Sequence, residues 1–356
     1  METLEKRPAR MIWSAAKVAG KTLPVKENGE SLSTQEYFEL KREVKRLNKP
    51  GVTVIKTKYG EIYDCVEIYK QPAFDNPRLK NHTIQLQPSF ISEVAKKEGS
   101  GSLSTVDIRL PDGAKCPQGT VPLQRMTMEH LIRAKSLAGK GKRIVEIGHR
   151  NFSRKVPSGG GVFSVAQKIG GEYYGLSARF NVWAPNLTQY EQISASQMWL
   201  IAGKEGYGFD TVEAGWMVDP INYPDVSAYL FTYSTNDGYQ TGCLDRQCRF
   251  IHVNNEIPLP MLLRDVSVHN GKQESIVLSL YKMGSGRWAE YGYTEAAFIS
   301  DVHLLDKIAN GIGLPDGVQT YNDNIYCYST VDNLKTYDPV LGRHIYFGGP
   351  GEEDCM

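Results

Sequence analysis

The chain has 356 residues, enough for two ordinary domains. Hydrophobic residues at 41% and charged residues at 23% are globular proportions, and a net charge of +1 excludes a field that would draw the protein to nucleic acid or an anionic membrane. No stretch approaches the roughly 20 apolar residues of a bilayer-crossing helix, so no membrane span is expected.

Residues 1–32 read as a leader without fixed structure. A secretory signal needs an apolar run of about 7–15 residues after a basic start. The run from Met11 to Ala16, closed by Lys17, is too short and too polar to serve. The first helix begins at Ser33, where Glu36 three residues on completes a capping box for the orphan N–H groups. Tyr37, Leu40, Val44 and Leu47 form its apolar stripe, and Asn48-Lys49-Pro50 stops it. A hairpin follows, from Val52 to Thr57, through a turn at Lys58–Glu61, to Ile62–Tyr69. Lys96 to Ser104 reads as a loop, and a second helix is predicted over Met128 to Ala138 with Gly139 as its C-cap.

Beyond that helix the character changes. Lys140-Gly141-Lys142-Arg143 is a basic, glycine-containing segment of the kind proteases reach. Short β-like runs then dominate: Gly161–Val165, Glu172–Trp183, Gln197–Ala202, Thr211–Val218, Ala228–Thr235, Phe250–Val253, Ser275–Tyr281 and His344–Phe347. Few helical stripes interrupt them, and 34 Gly, 20 Tyr and 18 Pro suit many strands joined by turns. The chain is therefore expected to be mainly β, an antiparallel sandwich or barrel behind a small α+β domain. The boundaries follow: leader 1–32, mixed domain 33–140, exposed linker 141–147, β domain 148–356.

Familiar catalytic motifs are absent. There is no G-x-S-x-G elbow, no phosphate-binding glycine loop and no H-E-x-x-H, and the seven His show no ligand spacing, so no metal site is expected. Six cysteines is an even number. Cys243 and Cys248 fit a small disulfide-closed loop better than a metal or redox pair, Cys327 and Cys355 are a plausible bridge, and Cys65 and Cys116 are left to each other. Asn81, Asn151 and Asn186 open glycosylation sequons, which with the cysteines point to a secreted protein.

One carboxylate stands out. Along Thr211–Val218, Val212, Ala214, Trp216 and Val218 form an apolar face that should point into a core, leaving Glu213 on the other face between Thr211 and Gly215. The glycine would admit a substrate backbone, and an apolar neighbourhood would disfavour the charged carboxylate, preparing it as a general acid. The plainer reading is a solvent-facing Glu on an amphipathic strand.

Ordered motifs from about Leu40 to the C-terminus, among them Leu47-Asn48-Lys49-Pro50, Tyr173-Tyr174-Gly175, Glu213-Ala214-Gly215-Trp216, Tyr239-x-Thr241-Gly242-Cys243 and Phe347-Gly348-Gly349-Pro350-Gly351, resemble the neprosin family of glutamic endopeptidases. Tyr63-Asp64-Cys65-Val66-Glu67-Ile68-Tyr69-Lys70-Gln71-Pro72 and Cys116-Pro117-x-Gly119-Thr120-Val121-Pro122 are similar to its activation peptide. Asn181-Val182-Trp183, Ser196-Gln197-x-Trp199, Glu213-Ala214-Gly215-Trp216 and Met283-Gly284-Ser285-Gly286 are similar to its catalytic domain. The resemblance implies a secreted plant zymogen, with a β-sandwich that hydrolyses peptides after proline, held latent by its own propeptide and needing no cofactor. It implies two cooperating glutamates, one ionised to activate water and one protonated to donate to the leaving amine. The first falls on Glu213, the loop disulfide on Cys243 and Cys248, and the C-terminal disulfide on Cys327 and Cys355.

The second glutamate has no counterpart. Its Gly-Gly-Glu strand should precede Met283-Gly284-Ser285-Gly286, but Ser275–Lys282 runs directly into that motif, which localises a missing segment between Lys282 and Met283. Gly170-Gly171-Glu172 stands elsewhere and reads as a chance match, and Glu274, Glu290 and Glu295 read as loop or surface residues. An incomplete peptidase with little or no activity is therefore expected. The alternatives are a non-catalytic secreted sandwich that binds peptide or cell-wall polysaccharide, and a storage or structural wall protein with no site.

Overall fold

The computed structural model describes residues 16–18, 21–23, 32–79, 83, 84, 86, 104–132, 164–167, 174–187, 193–203, 209–220, 222–235, 243–245, 250–281, 293–294, 297–305, 311–313, 318–322, 329–338 and 342–348. Within the leader, β1 (Ala16–Val18) and β2 (Lys21–Leu23) pair antiparallel, where the sequence predicts no structure. Helix α1 (Thr34–Leu47) starts as its capping box dictates: Ser33 N donates to Glu36 Oε2 at 2.8 Å and Glu36 N to Ser33 Oγ at 3.2 Å. Its stripe buries Leu40 and Leu47, and Asn48 ends it.

The hairpin β3 (Thr53–Lys56) and β4 (Ile62–Glu67) forms as read, and β6 (Thr120–Gln124) joins β4 to make a three-stranded antiparallel sheet. Cys65 and Cys116 are disulfide-bonded beneath it, with Cα atoms 5.4 Å apart. Residues 128–132 are helical, and the rest of the predicted second helix lies outside the described residues, as does the 141–147 linker.

Two larger sheets face each other. One runs in the order β12 (Cys243–Leu244), β11 (Ala228–Thr235), β10 (Phe209–Val218), β9 (Ser194–Gly203), β15 (Tyr293–Thr294), with β13 (Met261–Leu262) also on β11. The other runs β19 (Ser329–Asp338), β20 (Gly342–Gly348), β16 (Ala297–Leu305), β8 (Gly175–Asn181), β14 (Glu274–Tyr281), β5 (Ser104–Thr105), with β17 (Gly311–Gly313) on β16. A separate pair joins β7 (Ser164–Gln167) to β18 (Gln319–Asn322). One apolar core takes Leu176, Ala178, Phe180, Ile276, Val302 and Leu304 from the second sheet, and Met198, Ala214, Trp216, Val218 and Leu230 from the first. Two sheets, antiparallel but for the short edge strand β5, closed on one core make a β-sandwich. The protein is mainly β, and the barrel alternative is set aside.

Two readings are corrected. Phe250–Val253 forms no strand; it is an irregular segment onto which the N-terminal residues dock. Gln71, almost fully buried, donates from Nε2 to the His252 carbonyl at 2.6 Å and accepts from His252 N at 2.9 Å, so one amide side chain serves in place of a strand neighbour. Conversely, Ser104, read as the end of a loop, starts a strand on the sandwich itself.

Candidate active site

Strand β10 is hydrogen-bonded along its whole length to β9, and from Thr211 to Val218 to β11, so it stands inside its sheet with no free edge. Alternation then separates its side chains. Ala214, Trp216 and Val218 enter the sandwich core, and Trp216 Nε1 donates to the Asn181 carbonyl on the opposite sheet at 2.8 Å. Glu213 faces away from that core, level with Trp199 on β9 and Tyr233 on β11.

Glu213 is nevertheless only 2% exposed, and the plain solvent-facing reading is wrong. This outer face is not bare: Trp199 and Tyr233 flank the carboxylate, and a second apolar cluster of Met217, Tyr223, Tyr229, Phe231, Tyr233 and Leu244 lies on the same face. Burial of a carboxylate demands hydrogen-bond partners. Gln197 Nε2 donates to Oε2 and Thr211 Oγ1 to Oε1, each at 2.8 Å. The neighbourhood is thus mixed, apolar in bulk but polar at the carboxylate oxygens. Each oxygen receives a donor from a fixed strand position, which fixes the orientation of the group.

Gly215 has a different role from the one expected. A Cβ there would lie 2.1 Å from the Ser196 carbonyl oxygen and 2.5 Å from Gln197 Cα. The backbone that approaches this glycine is that of β9, not of a substrate, and the close approach sets Gln197 beside Glu213.

Behind the site, Tyr223 stacks on Tyr229 with ring centroids 4.5 Å apart, and its hydroxyl donates to Asp245 Oδ2 at 2.9 Å. Asp245 Oδ1 accepts from Thr232 N at 2.8 Å, which pins the residue after β12 onto β11. Burial, reinforced by Asp245 and Asp219, pushes the Tyr223 hydroxyl well above its ordinary value, so it stays a proton donor to Asp245.

The other acidic residues named from sequence are distributed differently. Glu274 is buried, contrary to the surface reading, but it opens β14 in the opposite sheet and pairs with Lys272. It therefore stands across the core from the Glu213 face. Glu290 and Glu295 lie outside the described residues, as do Cys248, Cys327 and Cys355 and the side chain of Cys243. Asn186 is exposed, while Asn81 and Asn151 are outside the described residues. Among the described residues, no group of three His, Cys, Asp or Glu is placed to hold a metal, and no helix is long and apolar enough to cross a membrane. Gln197 was not named as a site residue from sequence, although it stands in the Ser196-Gln197-x-Trp199 motif; Thr211 was named only as a neighbour, two places from Glu213 on the same face.

The architecture is a mainly β class of protein, a β-sandwich with a buried, hydrogen-bonded glutamate on the outer face of one sheet. Residues 54–167 match the neprosin activation peptide, and residues 190–282 and 281–350 match the neprosin domain. The chain belongs to the neprosin family and carries its activation peptide in the same polypeptide.

Proposed function

We propose that the chain is a secreted neprosin-type glutamic peptidase zymogen, in which residues 33–140 are the propeptide and 148–356 the peptidase domain, and in which Glu213 is one half of a two-glutamate site. The carrying observation is Glu213 itself: buried, outside the core, with both oxygens held by Gln197 and Thr211. In this reading the ionised Glu213 takes a proton from water as the water attacks a peptide carbonyl after proline. The leaving amine then needs a proton from a second acid. The neprosin match divides where the sequence places the missing segment: its two parts, 190–282 and 281–350, meet at Tyr281–Lys282.

Without the second acid, the chain as it stands hydrolyses peptides weakly or not at all. The test is incubation of acid-treated protein with a proline-containing peptide, followed by mass spectrometry. Little or no product is expected. Cleavage after proline that is lost in Glu213→Gln would overturn the expectation of inactivity while confirming the role of Glu213. The division of the match equally favours a second reading, a non-catalytic secreted sandwich that binds peptide or polysaccharide. Sequencing transcripts across the codons for Ser275 to Gly286 separates the two: an in-frame Gly-Gly-Glu segment restores the enzyme, and a confirmed junction favours binding.

A further inference from the structure

Ser104 and Thr105 form an edge strand of the sandwich, and the chain from Val106 to Leu110 runs on along it in irregular form. Ser104 and Thr105 pair in parallel with Glu274 and Ser275 of β14. Val106 N donates to the Ser275 carbonyl at 2.8 Å, and Ser275 Oγ donates to the Ser104 carbonyl at 2.9 Å. Farther along, Leu110 N donates to the Glu256 carbonyl, and Cys116 N to the Asn255 carbonyl, both at 2.8 Å. Asn255 Nδ2 returns a bond to the Cys116 carbonyl at the same distance.

The side chains follow strand alternation. Val106 and Leu110 are 4% and 3% exposed, and Ile108 is half-buried against the same core. Thr105, Asp107 and Arg109 face solvent, where Asp107 and Arg109 pair at 2.8 Å. Val106 is a full member of the sandwich core with Phe180 and Ile276. Taking this segment away would strip the Ser275 and Glu256 carbonyls of their backbone donors and open a cavity where Val106 sits. The Cys65–Cys116 disulfide closes within the N-terminal part, so it ties that part to itself and not to the sandwich.

We propose that the β14 edge is a strand-acceptor site, and that residues 104–110 are its resident ligand. The site takes an extended segment parallel to β14 with apolar residues at alternate positions. Cutting the 141–147 linker does not empty it: the N-terminal part stays bound as a non-covalent subunit and the sandwich keeps its edge strand. This holds whether or not Glu213 hydrolyses anything.

The experiment uses the full-length protein with a foreign protease site inserted within 141–147. Hydrogen exchange is followed at the amides of Val106 and Leu110 before and after cutting at neutral pH, with gel filtration of the cut protein. Protection unchanged within about 2-fold, and co-elution of both fragments, are expected. Loss of that protection on cutting, or separation of the wild-type fragments, overturns the proposal. A second arm measures binding of a labelled peptide of residues 102–112 to the uncut protein. Val106→Glu/Leu110→Glu, with its edge vacated, should bind the peptide saturably and at least 10-fold more tightly than wild type or Asp107→Ser. Equal binding to all three overturns the acceptor site. If the double variant does not fold, the exchange arm on wild-type protein still decides.

Discussion

At the scale of single residues, Gly215 and Glu213 form one arrangement. Gly215 has no side chain, so β9 packs with Gln197 Cα against it, and from there Gln197 reaches the Glu213 carboxylate at 2.8 Å. Gly215→Ala drives a methyl into the Ser196 carbonyl and the Gln197 backbone, neither of which can rotate away. Overpacking of a filled interior costs about 1–3 kcal/mol, and a clash with backbone belongs at or above the upper end. Urea unfolding should therefore show a loss of about 3 kcal/mol, whereas Gln197→Ala, which deletes a donor without forcing the strands apart, should lose less. Tyr223 supplies a prediction in pH. Its pKa is raised in the fold from an ordinary value of 10.0, chiefly by burial, so the folded state holds this proton more tightly than the unfolded chain. That contribution to stability is fully present below pH 10 and is lost as pH rises above it. Tyr223→Phe removes the titration, so its stability should fall less steeply than that of wild type in unfolding measurements between pH 9 and pH 11, a window around the ordinary tyrosine value. A parallel fall in both would remove Tyr223 as the cause.

Among the elements, those governed by neighbours in sequence were legible and those governed by distant partners were not. The Ser33–Glu36 capping box predicts the start of α1, because both partners lie within one turn. Alternation from Val212 to Val218 sorts β10 into a core face and a Glu213 face, but it says nothing of what covers the second face. That face carries Trp199 and Tyr233 level with Glu213, and the apolar cluster of Tyr223, Tyr229 and Leu244 brought in by other strands and the loop before β11, and so the burial of Glu213 was hidden. The strand at Ser104 was missed for the same reason, since its partner Ser275 is 171 residues away and no turn signal announces it. Gln197 and Thr211 stood in view as motif and same-face neighbours, but only the fold shows that they hold the carboxylate. The Cys65–Cys116 bridge, first left to elimination, spans 51 residues between β4 and the segment before β6. Closing a loop of that length restricts the unfolded chain by about 4 kcal/mol. Cys65→Ser/Cys116→Ser should lower the stability of the β3–β4–β6 sheet by about that amount. Hydrogen exchange should rise at Tyr63 to Val66 well before it rises in β10, and equal acceleration in both would mean that the two sheets unfold as one unit.

For the whole molecule, the question is what holds the propeptide-like sheet against the sandwich. Among the described residues, the attachments include the 104–110 segment, the Gln71–His252 exchange, the Cys116–Asn255 hydrogen bonds, the Leu123–Leu259 bridge, and Arg264 at the turn between β3 and β4. Arg264 pairs with Glu61, and its guanidinium lies 3.9 Å from the centre of the Tyr59 ring. Thr57 Oγ1 also donates to Glu61 at 3.0 Å, so the acceptor is held in place before the cation reaches it. Both partners of the ion pair are largely shielded, with side chains 20% and 12% exposed. Removing one charge from such a pair leaves the other poorly compensated, at a cost of about 2 kcal/mol or more. The Lys58–Asp112 pair on the same turn is its natural control, because both side chains are more than half exposed and such pairs contribute about 0–1 kcal/mol. Glu61→Gln should therefore expose residues 53–67 to limited proteolysis at least 10-fold faster than wild type, and Lys58→Ala should leave the rate within about 2-fold. High salt should accelerate the wild type only slightly, since a shielded pair is weakly screened. Equal effects from the two substitutions would show that Arg264 does not anchor the turn, and docking would then rest on the other contacts, among them the 104–110 segment, Gln71 and Cys116 with Asn255.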